Sequence, residues 1–180
     1  MKGIVFTVFI DFAEQRFGDK LVHEAIVNSH LSSGGAYTAV GTYDHSELVS
    51  LLSQLAASAT VPVRELLADF GFHLFKALAS RYPALVGRHS DSFSLLESIE
   101  TVIHAEVLKL YPDAELPRFS HDRLSSDNLN VTYHSARGFG PLVDGLLKGC
   151  FAHFDENVEV SRQDLSDGNE TQVLFVLQRK

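Results

Sequence analysis

From Gly3 the chain is apolar at nearly every position up to Asp11. This predicts a buried helix over residues 3–17 that stops at Gly18, a favourable residue at a helix C-terminus. Asp19 to His30 predicts a second short helix with Leu21, Ile26 and Val27 inward, and Ser32-Ser33-Gly34-Gly35 a loop. Asp44-x-x-Glu47 has the form of a capping box with Asp as the cap, opening a helix to about Ala59 whose inner stripe is Leu48, Leu51, Leu52 and Leu55. Pro62 sits where its missing N–H costs little and opens the next helix, to about Arg81. Its apolar positions include Leu66, Leu67, Phe70, Leu74, Phe75 and Leu78, and His73 lies one step off the Phe70–Leu74–Leu78 stripe.

Beyond Pro83, residues 91–111 predict one long helix. Leu96, Ile99, Ile103, Val107 and Leu110 recur at helical spacing and define its core stripe. His104 falls at the edge of that stripe, at about 100° per residue. It has two readings: a boundary imidazole bonded to a nearby carbonyl, or a metal ligand on a rigid helix facing an apolar cavity. Pro112 and Pro117 end the helix and turn the chain, and residues 118–128 read as irregular or a short strand.

The period then switches to two. Leu129 to Tyr133 reads as a strand, continued by His134-Ser135-Ala136-Arg137. Alternation puts Tyr133, Ser135 and Arg137 on one face, a phenol, a hydroxyl and a guanidinium in a row. Such a face is either the solvated side of an edge strand or a seat for a ligand with carboxylates or phosphates, which Arg grips through two parallel bonds. Gly138-Phe139-Gly140-Pro141 turns the chain into a helix from Leu142 to about Phe154. Asn157–Arg162 and Thr171–Gln178, separated by the turn-rich Asp164–Asn169, close it as an antiparallel pair. Helices first and a small sheet afterwards is an α+β plan.

Composition narrows the function. The 180 residues suffice for one domain with a real core, and 45% hydrophobic with 21% charged is ordinary for a globular chain. A net charge of -8 argues against nucleic-acid or anionic-membrane partners. The single cysteine, Cys150, excludes an internal disulfide framework and thiolate zinc sites. Nine histidines form no His-Glu-x-x-His motif. No signal peptide or bilayer-length apolar run is present, so a cytoplasmic location is expected, and the Asn130-Val131-Thr132 and Asn169-Glu170-Thr171 glycosylation patterns read as chance matches.

Taken together, these residues resemble the haem-nitric oxide/oxygen binding (H-NOX) domain family, relatives of the sensor domain of soluble guanylate cyclase. The resemblance spans the chain. It includes Met1-Lys2-Gly3-Ile4-Val5, Phe70-Gly71, Val102-Ile103-His104, Tyr111-Pro112 through Pro117, and Gly145-Leu146-Leu147-x-Gly149. Its most specific part is Tyr133-x-Ser135-x-Arg137 downstream of a helical His. The resemblance implies a single haem-binding domain over 1–180, with a distal helical subdomain over about 1–62 and a proximal one over 63–180. It implies haem b held by His104 as proximal iron ligand, Tyr133, Ser135 and Arg137 on the propionates, and Pro117 pressing on the porphyrin. Val5, Phe9, Leu74, Leu78, Leu142 and Leu146 would line the cofactor.

Family members that hold oxygen place a tyrosine hydroxyl on the helix after the signature, and the matching position here is Leu142. The expectation is therefore a sensor that binds nitric oxide, and carbon monoxide more weakly, in preference to oxygen, signalling by loss of the iron–His104 bond. Its output would lie in a separate partner, a histidine kinase or a diguanylate cyclase/phosphodiesterase. An alternative is a redox or nitric oxide sensor in which His73 supplies a second axial ligand. Two others are a cofactor-free interaction module and an enzyme using Ser135 or Cys150 as nucleophile; no nucleophile-elbow pattern surrounds Ser135, and an apolar helix face suits an inert thiol.

Overall fold

The computed structural model describes residues 1–166 and 171–180. Four helices come first: α1 (Gly3–Phe17), α2 (Asp19–Asn28), α3 (His45–Ala59) and α4 (Val63–Arg81). A short α5 (Pro83–Val86) leads to α6 (Ser92–Glu97), a π-helical segment (Ile99–His104) and α7 (Ala105–Leu110). Then follow β1 (Arg118–Arg123), β2 (Asn128–Ser135), α8 (Gly140–His153), β3 (Val158–Asp164) and β4 (Thr171–Arg179). The strands form one antiparallel sheet in the order β1-β2-β4-β3, so the fold is α+β. The Asn169-Glu170-Thr171 pattern and the end of the turn read over Asp164–Asn169 lie outside the described residues. Asn130 of the other pattern sits mid-strand in β2, half-buried, with its side-chain oxygen buried.

The apolar interior falls into two clusters. The first joins α1, α2, α3 and the inner face of α4 to Phe139, Leu142 and Leu146. The second joins the sheet and α6 to Val143, Leu147, Cys150 and Phe151 of α8, with Phe75 and Ala79 of α4 against it. Helices α4 and α8 therefore serve both, and their crossing is the seam of the molecule. Three glycines make that crossing close: a Cβ on Gly149 would lie 2.7 Å from the Phe75 Cβ, and Gly71 and Gly145 face backbone.

Three expectations are corrected. The long helix over 91–111 is divided, because residues 99–104 adopt the wider π turn. One extra residue per turn rotates everything downstream by about 100°, so the Leu96–Ile99–Ile103 stripe does not continue and Leu110 is 65% exposed. In α2 Val22 and Ala25 are the buried residues, Leu21 and Ile26 pack half-buried beside them as expected, and Val27 is exposed. Residues 118–123 form a full strand. Its polar sequence, with Phe119 the lone aromatic, is that of a charged sheet edge.

Candidate cofactor site

His104 closes the π-helical segment, with its side chain 14% exposed. Its Nδ1 lies 3.0 Å from Glu100 Oε1. A carboxylate can only accept, so Nδ1 carries the proton and Nε2 has a free lone pair with no hydrogen bond among the described residues. Burial lowers the imidazole pKa, against the Glu100 charge and hydrogen bond that raise it, which favours the neutral ligating form. The same Glu100 oxygen accepts the Phe119 amide at 2.8 Å. The Phe119 ring stands 5.9 Å from His104 and 5.5 Å from Tyr133, linking the helical imidazole to the donor row.

Tyr133 and Ser135 lie on a central strand, not an edge: β2 is flanked by β1 and β4, which overturns the solvated-edge reading. The strand ends at Ser135, and Arg137 follows in the turn after it, so the alternation does not extend to the guanidinium. Leu129, Val131, Tyr133 and Ser135 share its buried face. Burial raises the Tyr133 phenol, while the Ser135 hydroxyl, the Phe139 backbone and the Arg137 charge pull it the other way. Ser135 Oγ accepts the Arg137 amide at 3.1 Å, and Gly138, at φ +67°, turns the chain just after. The Arg137 guanidinium donates to the Glu115 carbonyl at 3.1 Å and pairs with the Glu115 carboxylate, whose side chain is 80% exposed. The Met1 ammonium is close enough for Arg137 to help burial depress its pKa. A second cation therefore stands at this end of the molecule.

Val5, Phe9, Leu74, Leu78, Leu142 and Leu146 belong to the first apolar cluster. Its two phenols are engaged away from them. Tyr37 donates to Glu47 at 2.7 Å, and the Tyr43 oxygen accepts the Thr38 amide at 2.8 Å. Pro117 is half-buried one residue before β1. The His73 ring packs 5.4 Å from Phe12 and lines a cavity of about 330 Å³ with Asp69, Phe72 and Lys148. Among the nucleophile candidates, Cys150 is fully buried and its thiol is pushed up to about 12 by burial, then by Glu156 and Asp91. Sequence reasoning missed Glu100 and Phe119; the i, i+4 spacing of Glu100 and His104 was the available signal.

These residues suit a haem. One neutral imidazole with a proton-capped Nδ1 offers a single axial nitrogen. The phenol, hydroxyl and guanidinium offer donors for two carboxylates, and an apolar cluster stands nearby for the ring. Among the described residues no group of three His, Cys, Asp or Glu could hold a bare metal ion instead. Nor is any described helix long and apolar enough to cross a membrane.

A fold that sets a helical imidazole beside such a row is that of a haem-binding sensor domain. The chain belongs to the haem–NO-binding family, whose model matches residues 2–162. Members are haem-based gas sensors. It resembles the Fe(II) unliganded H-NOX protein of K. algicida at 37% identity, with 100% of this chain and 97% of that one covered and a TM-score of 0.93. It also resembles the H-NOX protein of S. oneidensis in the Fe(II)NO state (28%, 100% and 99%, TM-score 0.89). A third is the IWP-051-bound H-NOX of Shewanella woodyi in the Fe(II)CO state (40%, 100% and 95%, TM-score 0.85). No curated protein matches the chain.

Proposed function

We propose that this protein is a nitric oxide sensor built on haem b, with His104 as its proximal ligand. When bound, haem would supply a ferrous iron able to take up a diatomic gas, and His104 would be the residue that holds that iron and gives way when nitric oxide binds. Tyr133, Ser135 and Arg137 clasp the propionates, with Arg137 exchanging Glu115 for a propionate, and Pro117 presses on the ring. Leu142, Leu74, Leu78, Leu146, Val5 and Phe9 line the gas side. They give bound oxygen no hydrogen-bond donor, whereas nitric oxide needs one much less, and carbon monoxide binds more weakly than nitric oxide. Release of His104 frees the π-helical segment to move relative to the α4–α8 seam, and a separate partner reads the altered surface. By resemblance that partner is a histidine kinase or a diguanylate cyclase/phosphodiesterase.

The observation that carries this reading is the His104 imidazole, its Nδ1 capped by Glu100 and its Nε2 left free on a π turn. The test is the absorption spectrum of the reduced protein under argon, with nitric oxide, and in air. A Soret band lost in His104→Ala and regained with added imidazole supports the assignment, and a stable oxygen complex in air rules out the selectivity.

A further inference from the structure

Glu100 Oε1 has two donors: His104 Nδ1 at 3.0 Å and the Phe119 amide at 2.8 Å. One oxygen thus joins the π-helical segment to the start of β1, two residues after Pro117. The wide π turn keeps residues 100 and 104 on nearly the same face, and the amide fixes the carboxylate from the other side. The Phe119 ring closes on the same imidazole at 5.9 Å.

We propose that Glu100 is a positioning residue that sets the strength of the iron bond at His104, and so the ease with which a gas releases it. This rests on the reading of His104 as the iron ligand. The physical cause is the charge on the acceptor. An imidazole whose Nδ1–H donates to a carboxylate is a stronger donor at Nε2 than one bonded to water or a carbonyl. It also keeps the single tautomer that can ligate. The carboxylate therefore strengthens the bond, favours the ferric over the ferrous state, and raises the threshold for release. Because Phe119 shares the oxygen, a displacement of His104 is passed to β1, the edge of the sheet.

Glu100→Gln separates charge from geometry, since the Phe119 N–H keeps the amide oxygen facing inward; Glu100→Ala removes both. In the haem-loaded ferrous protein, the iron–histidine stretching band should shift to lower frequency in Glu100→Gln and further in Glu100→Ala. The reduction potential should rise in the same order. The share of nitric-oxide-treated protein whose spectrum reports loss of the His104 bond should increase. An unmoved band and potential in Glu100→Gln overturn the proposal, and that variant carries the test alone if Glu100→Ala does not fold. A second readout needs no iron: ¹⁵N shifts of the His104 ring in cofactor-free protein should report the Nδ1–H tautomer in the wild type and a mixture in Glu100→Ala. An Nε2–H tautomer in the wild type also overturns it. A protein that takes up no haem defeats the sensor reading, whereas a haem-loaded protein indifferent to Glu100 defeats only this proposal.

Discussion

Gly71 on α4 and Gly145 on α8 stand face to face across the helix crossing. A Cβ on Gly71 would lie 3.0 Å from the Gly145 Cα and press on the Leu142 carbonyl; one on Gly145 would lie 2.7 Å from the Phe72 amide and press on the Ala68 carbonyl. The obstacles are backbone, so no rotamer change relieves them. Gly145→Ala must spread the two helices that both apolar clusters share. It is expected to cost about 1–3 kcal/mol, seen as a lower urea midpoint at unchanged slope.

Arg137 is the one guanidinium of the donor row, and its partner Glu115 is largely solvated. Exposed pairs contribute little, so exchanging Glu115 for a propionate costs little. Arg137→Ala is expected to speed haem loss to a scavenging apoprotein by about tenfold or more, the scale of one charged hydrogen bond. Glu115→Ala should leave loss unchanged or slower. Faster loss in Glu115→Ala would show that this carboxylate holds the site together.

His73 lies against Phe12, where burial and Lys76 lower its pKa against the pull of Asp11. Leu74, its neighbour, is the residue in the first apolar cluster. His73→Ala is therefore expected to leave the absorption spectrum unchanged in both redox states. A lost six-coordinate ferric spectrum would instead bring His73 to the iron.

Cys150 has no accessible surface, and burial holds it as a thiol. Since the thiolate is the reactive form, alkylation of the folded protein should be slow and limited by opening of the α8–sheet core. The same reagent should react at once in denaturant. Fast labelling of the native protein would mean that the second cluster opens readily.

Much of this was legible in the sequence, and the exceptions share a cause. The Leu48–Leu51–Leu52–Leu55 stripe and the Tyr133/Ser135 alternation were readable because each element buries one face throughout. Residues 91–111 were misread because a π turn leaves no periodicity of its own: the apolar residues keep helical spacing while the backbone slips by one. β1 was half-missed because an edge strand buries little and so carries little pattern. The donor row was visible as chemistry, but its burial was not, since that depends on which strands pair on either side of β2. The Glu100–His104 contact could have been proposed from spacing; the Phe119 amide that fixes it lies at the start of β1, nineteen residues on, and its approach to Glu100 depends on how the strand packs against the helix.

Asp91 caps α6 and ties it to the last strand. Its Oδ1 accepts the Ser94 amide at 2.9 Å and Arg179 at 2.8 Å, and Ser90 donates to Oδ2 at 3.0 Å. Burial pushes this carboxyl up, but those donors outweigh it and bring the pKa to about 2. In the unfolded chain the same group titrates near 3.9. A folded value below the unfolded one means the unfolded state takes up the proton first. The contribution of Asp91 is thus complete above the unfolded value and disappears as pH falls through the folded one. Asp91→Asn keeps an oxygen for the Ser94 amide and loses the pairing with Arg179, which retains Glu156 at 3.2 Å and the face of Phe93 at 4.1 Å. The stability gap between wild type and Asp91→Asn, measured by urea unfolding, should be widest at about pH 6, shrink below about pH 4, and close near pH 2. A gap that stays constant over that range would assign the role of Asp91 to its cap geometry alone, with no contribution from its charge.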